Sequence, residues 1–182
     1  MTSMAAKEKK AAIADDVVQL VTFQVGAEEY GIDINAITEV VRPLKITPLP
    51  KMPAFVEGVI NLRGVIIPIV DLRNRFELRT VKNDPRKMRM VITRGAVAAS
   101  SGPSRGLLGL VVDRVDEVIY VPKRDIDPAP EAAMGGNADF ITGMGKVGSR
   151  LIILLDITRI LSREERAALA EAGRTEEEKV RR

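Results

Sequence analysis

The sequence has no cysteine, no histidine and no tryptophan. Without cysteine and histidine there is no disulfide, no thiolate or imidazole metal ligand, no Cys–His or Ser–His nucleophile pair, and no imidazole to carry protons near neutrality. An enzyme would have to draw its chemistry from Asp, Glu, Lys and Ser alone, so the reading is of a non-enzyme with no cofactor and no metal. Aromatic residues make up only 3% of the chain, which argues against platforms on which nucleic-acid bases stack. Long hydrophobic runs are missing too: Val65 to Val70 and Leu151 to Leu155 are strand-sized, well short of a membrane span. The N-terminus reads Met1-Thr-Ser-Met-Ala-Ala-Lys-Glu-Lys-Lys10, with charges where the apolar stretch of a signal peptide would lie. Together these absences predict a cytoplasmic protein without direct membrane insertion.

What is present suffices for a core. Of 182 residues, 46% are hydrophobic, enough for one large domain or two small ones to fold without staples. The net charge of +3 is unevenly spread, with 13 basic and 4 acidic residues between Arg42 and Arg105. That half offers a cationic face to nucleic acid, acidic lipid or an acidic protein surface, because charge fixes the sign of a partner and not its identity.

The chain is internally duplicated. Gly31-Ile-Asp-Ile-Asn-Ala-Ile-Thr-Glu39-Val-Val41 matches Gly109-Leu-Val-Val-Asp-Arg-Val-Asp-Glu117-Val-Ile119 at an offset of 78, and Gly58 to Asp71 matches Gly143 to Asp156 at an offset of 85. Prolines follow the first glutamate at 43, 48, 50 and 53, and the second at 122, 128 and 130. Two copies are too few for a solenoid, so a paired, pseudo-symmetric arrangement is expected. Val21–Val25, Val65–Val70, Met88–Thr93, Leu107–Val112 and Leu151–Leu155 are short, rich in β-branched residues and bounded by Gly, Pro or Asp, which is the pattern of small β-barrels. Residues 94–105, with their Gly, Ala, Ser and Pro, read as a mobile hairpin loop. Ser162-Arg-Glu-Glu165 is a capping box that starts a helix towards Gly173, and the charged remainder, 174–182, reads as a solvated tail.

Several motifs reduce to structure. Gly143-Met-Gly-Lys-Val-Gly148 has dinucleotide-binding spacing, but a β-rich run follows where a helix N-terminus would be needed, so its glycines are read as turn residues. Asp71 and Asp156 occupy equivalent places in the two copies, which favours a shared capping role over a catalytic pair. Asp125-Ile-Asp127 lacks the further oxygen ligands of a calcium loop and reads as solvated. Asn61-Leu-Arg-Gly64 differs from its counterpart Lys146-Val-Gly-Ser149. Arg63 there is either a solubilising charge or a rigid fork for a partner's carboxylate or carbonyl.

The run Gly58-Val-Ile-Asn-Leu-Arg-Gly-Val-Ile-Ile-Pro-Ile-Val-Asp-Leu-Arg73 resembles the signature of CheW-type chemotaxis coupling proteins. Glu28-Glu-Tyr-Gly-Ile-Asp-Ile34, Phe140-Ile-Thr-Gly-Met-Gly145 and the closing Leu155-Asp-Ile-Thr-Arg-Ile-Leu161 fit as well, so the resemblance runs from about Val18 to Leu161. It implies an all-β fold of two pseudo-symmetric, SH3-like, five-stranded barrels sharing a core, with a short C-terminal helix. It implies a non-catalytic adaptor between the cytoplasmic tip of chemoreceptors and the regulatory domain of a chemotaxis histidine kinase, recruited to the inner membrane through receptor arrays. Carried over residue by residue, Glu39, Arg63, Val115 and Val118 match receptor-coupling positions, and Val21, Ile34 and Ile37 match the kinase-docking face. Strand alternation could equally turn the last three inward. The sequence departs from the family pattern at Val41-Arg42-Pro43 and in the 94–105 loop.

The expected organisation is a flexible arm over 1–17, a twin-barrel domain over 18–161 with interleaved halves of roughly 18–85 and 86–161, a helix over 162–173 and a flexible tail over 174–182. Two rival readings are an equivalent adaptor in a chemosensory system for surface motility or development, and a basic twin-barrel nucleic-acid binder. The scarcity of aromatics weighs against the second, and no nucleic-acid partner is expected.

Overall fold

The computed structural model describes residues 16–78, 82–96, 106–130 and 139–182. Eleven strands carry the described chain: β1 (Val17–Val25), β2 (Glu28–Asp33), β3 (Ile37–Val41), β4 (Val56–Leu62), β5 (Val65–Asp71), β6 (Arg89–Arg94), β7 (Leu107–Val112), β8 (Arg114–Pro122), β9 (Ile126–Pro128), β10 (Ile141–Val147) and β11 (Arg150–Leu155). Two helices join them, a single turn α1 (Leu72–Arg75) and a long α2 (Arg163–Val180). One sheet runs β3-β6-β7-β5-β4 and the other β8-β1-β2-β11-β10-β9.

The two sheet orders are the same order seen through the duplication. Moving each strand of the first sheet to its counterpart in the other copy turns β3-β6-β7-β5-β4 into β8-β1-β2-β11-β10. The register agrees: Ile37 faces Thr93 and Val40 faces Val91, as Val115 faces Phe23 and Val118 faces Val21. Each sheet has one parallel pair, β5 with β7 and β11 with β2, and the strands of such a pair come from different copies. Neither copy closes a barrel alone. The sixth strand of the second sheet, β9, is matched in the first by a single bridge between Thr47 and Val59.

The boundary between the sequence copies, near 85, is therefore not the boundary between the barrels. The first barrel is built from the contiguous strands β3 to β7, set between the β1–β2 hairpin and β8 to β11, which together make the second.

Strand exchange explains why the strands read as near-continuous apolar runs: both faces are buried. In β5, Ile67 and Ile69 fill the first barrel while Val70 turns into the core between the barrels. In β6, Met90 and Ile92 face the barrel and Val91 the shared core. In the second barrel Leu20, Ile119, Val121, Ile152 and Leu154 make the interior. Phe23, Val25, Tyr30, Ile32, Leu108, Leu110, Val112 and Leu155 meet in the shared core, each large side chain there worth roughly 1.5–3 kcal/mol of burial. Pro68 lies one residue before the parallel pairing with β7 begins at Ile69, where its missing N–H costs no ladder bond.

The repeated glycines have a steric origin. A Cβ at Gly109 would lie 2.4 Å from Ile69 Cδ1, and one at Gly31 would lie 3.1 Å from Ile152 Cγ2, so both glycines leave room for a barrel-filling isoleucine. Gly58, at φ +140°, passes so close to the crossing segment that a Cβ would lie 2.1 Å from the Thr47 carbonyl oxygen. Asp71 and Asp156 share the role expected of them, each accepting a backbone hydrogen bond two residues on, from Arg73 N at 2.8 Å and Thr158 N at 2.9 Å.

A buried polar cluster ties the copies together. The Asp113 carboxylate accepts from Gly26 N at 2.7 Å and from Asn83 Nδ2 at 2.9 Å, and lies 3.5 Å from the Arg73 guanidinium. Arg75 of α1 stacks over the rings of Phe55 and Phe140, donates to the Ile160 carbonyl at 2.8 Å, and sits 3.7 Å from Glu165 of α2.

Three expectations need correction. The capping box forms, with Glu165 N bonded to Ser162 Oγ at 3.1 Å and Ser162 N to the Glu165 carboxylate at 2.6 Å, but α2 does not stop at Gly173. Gly173 is buried and helical, and the residues assigned to a flexible tail continue the helix to Val180, supported by Lys179–Glu176 and Arg181–Glu177 pairs one turn apart. Asp125 and Asp127 are exposed, as a solvated loop would have them, but the first ends a 3-10 turn and the second lies on β9, paired with Lys146 at 2.8 Å. Val17, placed in the N-terminal arm, already belongs to β1, opposite Pro122. Residues 1–15 of that arm and 97–105 of the expected loop lie outside the described residues.

Three outcomes follow for stability. Gly58→Ala meets a backbone carbonyl in a conformation disallowed to L-residues and should cost about 3 kcal/mol or more in urea denaturation. Gly64→Ala, at φ +83° but with nothing within 4 Å, should cost only about 1 kcal/mol. Burial, reinforced by the Glu28 carboxylate, pushes the Tyr30 hydroxyl from 10.0 up to about 12. The unfolded chain therefore loses this proton first, and stability should fall as pH rises from 10 towards 12. Tyr30→Phe should show a shallower decline over that window in denaturation midpoints.

Candidate functional site: two edge strands and their charge clamps

β3 and β8 are equivalent strands in the two copies, and each is the outer strand of its sheet. Both bear a bulge, between Ile37 and Glu39 in β3 and between Val115 and Val118 in β8. A bulge re-aims side chains and blunts an edge that would otherwise invite a further strand.

Arg63 reaches back to β3 from the far end of the first sheet. Asn61-Leu-Arg-Gly64 forms the β4–β5 hairpin, with Leu62 opposite Val65 and Arg63 and Gly64 as the two turn residues at φ 51° and 83°. Both central residues in the left-handed region make a two-residue turn that suits the twist of the strands. Asn61 Oδ1 accepts from Gly64 N at 2.9 Å and fixes the turn. Arginine lacks glycine's freedom at such a position, so the turn holds mild strain in order to present this side chain. Its guanidinium forks onto Glu39, with Nη1 to Oε1 at 2.7 Å and Nη2 to Oε2 at 3.0 Å. The pair spans the seam between the sheet's outer strands. The hydrogen bond from Arg63 holds the Glu39 carboxyl below its ordinary range and the guanidinium above its own.

The second barrel has a counterpart that the sequence reading missed. Arg150, at the start of β11, bonds both Glu29 on β2 and Glu117 on β8, the latter at 2.7 Å. These bonds push the Arg150 guanidinium further up, Glu29 contributing first and Glu117 second. Glu117 is the repeat equivalent of Glu39, so the duplication itself carried this signal. Its arginine comes from the strand and not from the turn, which hid the match.

The other expected residues divide. Val118 is 44% exposed, and Val115 is half-buried at the margin of the shared core, as is its equivalent Ile37. Ile34 is half-buried in the 3-10 turn between β2 and β3. Val21 is only 7% exposed and lies directly opposite Val118 across the β1–β8 ladder. The structure thus joins Glu39 to Arg63 and Val21 to Val118, and sets Ile37 and Val115 in equivalent places on different barrels. Gly143 and Gly145 lie in β10 and Gly148 in the hairpin turn after it, away from any helix N-terminus. No helix among the described residues is long and apolar enough to cross a membrane.

A strand-exchanged pair of barrels whose outward features are edge strands, paired charges and isolated aliphatic side chains has the architecture of a docking scaffold. Residues 19–165 match the CheW-like domain model, and the chain belongs to that family of scaffold and adaptor proteins. It is similar to Chemotaxis protein CheW of Treponema pallidum, 38% identical over 161 residues that cover 87% of this chain and 91% of the relative. Chemotaxis protein CheW of Klebsiella aerogenes is 38% identical over 149 residues, covering 82% and 84%. Protein FrzA of Myxococcus xanthus is 29% identical over 171 residues, covering 92% and 99%. The crystal structure of scaffolding protein TtCheW from Thermoanaerobacter tengcongensis superposes with a TM-score of 0.70 at 32% identity, covering 81% of this chain and 94% of that one. The all-β, two-barrel, SH3-like fold expected from the sequence is thereby established.

Because Glu39 and Arg63 are both open to water, their coupling should be modest and sensitive to salt. In a double-mutant cycle of Glu39→Gln and Arg63→Gln, followed by thermal denaturation, coupling should be present at neutral pH. It should vanish as pH falls through the lowered Glu39 value, because a depressed folded pKa gives stability only while the carboxylate is ionised.

Proposed function

We propose that the chain is a non-catalytic adaptor that couples methyl-accepting chemoreceptors to the chemotaxis histidine kinase in a signalling array. Membership of the CheW-like family supports the scaffold role, and the observation that carries the receptor side is the Arg63–Glu39 clamp held on a strained, exposed hairpin turn. Two of the guanidinium donors are spent on Glu39, which fixes the plane of the fork and leaves its remaining donors directed outward for a carbonyl or carboxylate at the receptor tip. Val118, and Val115 beside the shared core, add aliphatic contact from the second barrel. On the kinase side, Ile34 and Ile37 are the surface contributors, and Val21 joins them as a largely buried residue of β1. The adaptor works from the cytoplasm and reaches the inner membrane only through the receptors.

The similarity to Protein FrzA over nearly the whole chain supports a second reading, an equivalent adaptor in a chemosensory system other than chemotaxis. The two readings share one mechanism, because an adaptor of this kind never touches the stimulus.

Arg63→Glu, which reverses a charge that is 72% exposed, should reduce co-sedimentation with receptor-containing membranes on the order of tenfold. It should leave the melting temperature and kinase binding close to wild type. Unchanged receptor recovery would remove Arg63 from the site, and recovery of the kinase with membranes in the adaptor's absence would remove the coupling role itself.

A further inference from the structure

The connection from β3 to β4 is chemically unlike its repeat. From Val40 to Val56 it contains Arg42, Lys45 and Lys51 and no acidic residue, whereas Val118 to Pro130 balances Lys123 and Arg124 with Asp125 and Asp127. Arg42, Lys45 and Lys51 are all exposed, and none has a carboxylate partner among the described residues. Between and beside them Val40 and Leu44 stand out of the surface at 41% and 40% exposure, two of the few large hydrophobic side chains exposed among the described residues.

This segment is held in place. Thr47 exchanges two backbone hydrogen bonds with Val59, at 2.8 and 2.9 Å, and its carbonyl lies over Gly58 at a distance no side chain would tolerate. Ile46 packs on the first barrel's interior, and Leu49 and Met52 pack on the shared core. Four prolines, at 43, 48, 50 and 53, restrict the backbone further. Lys51 sits at φ 59°, a left-handed conformation that costs a non-glycine residue about 1 kcal/mol. A solvated charge run needs none of this fixing. A recognition surface gains from it, since side chains that start from an ordered backbone lose less entropy on binding.

We propose that this connection is a docking surface for an acidic segment of a partner protein, with carboxylates paired to Arg42, Lys45 and Lys51 and apolar side chains set against Val40 and Leu44. Nucleic acid fits less well, because the exposed part of the segment offers no aromatic ring and only three cations. A lipid surface fits less well because a pinned, proline-rich backbone cannot form the amphipathic helix that inserts between headgroups. Charge of this kind selects among partners and speeds encounter more than it adds affinity, so the segment is a specificity determinant of this chain. The proposal uses neither Arg63, in the β4–β5 turn, nor Glu39, which precedes Val40 on β3; those two pair with each other.

The test is a titration of the full, isotopically labelled chain, read by amide chemical shifts, with a synthetic peptide of glutamate and leucine. The same peptide with lysine for glutamate, phosphatidylglycerol vesicles and a DNA duplex serve as comparisons. Perturbation by the glutamate peptide should centre on Val40 to Lys45 and Lys51, weaken on the order of tenfold between about 50 and about 500 mM salt, and disappear in the combined Arg42→Glu, Lys45→Glu and Lys51→Glu variant. The proposal is overturned by silence at these residues, by an equal response to the lysine peptide, by persistence of binding in the triple variant, or by tighter binding of the vesicles or the duplex.

Discussion

Everything in this molecule depends on each barrel lacking, within its own sequence copy, the strands that would complete it. The parallel pairs β5–β7 and β11–β2 are the points where the copies meet, and both faces of β5 and β7 are apolar because both have something to bury. One face fills a barrel and the other fills the space between barrels. The two interiors and the shared core are consequently a single packing problem, and a volume change in one is felt by the others.

A fold made this way has outer strands by necessity, and the duplication supplies two equivalent ones. Ion pairs fasten both: Glu39 to Arg63 across the first barrel, and Glu117 and Glu29, each to Arg150, across the second. The equivalence stops at the surface. The first barrel's arginine comes from a strained turn and stays open to solvent, while the second's sits at a strand end between two carboxylates. The cationic β3–β4 connection likewise has no counterpart. Divergence is concentrated on side chains that do not pack, which is where an adaptor can change partners without altering its core.

Much of this was legible in the sequence because it is written in short-range patterns. The glycine-to-glutamate and glycine-to-aspartate spacings exposed the duplication, and the capping box and the twin aspartates behaved as local hydrogen-bonding rules require. The partition into barrels was not legible, since strand exchange leaves the local pattern of every strand unchanged. Gly173 misled because glycine is a good helix terminator only where the chain turns left-handed, and here packing against the core kept it helical. Arg150 was overlooked because its alignment partner is Val65, so the clamp repeats in space but not in register. Val21, matched to a docking face by resemblance, is only 7% exposed on β1.

The contiguity of β3 to β7 also sets the order in which the chain can mature. As it leaves the ribosome, the hairpin of β1 and β2 appears first, but its neighbours β8 and β11 begin only at Arg114 and Arg150. The central barrel has all its strands by Val112 and can close while that hairpin still waits with two bare edges. A hairpin made before the central barrel is thus the last of the two to find its place, and the interval is a window in which edge-to-edge pairing with other chains competes with folding.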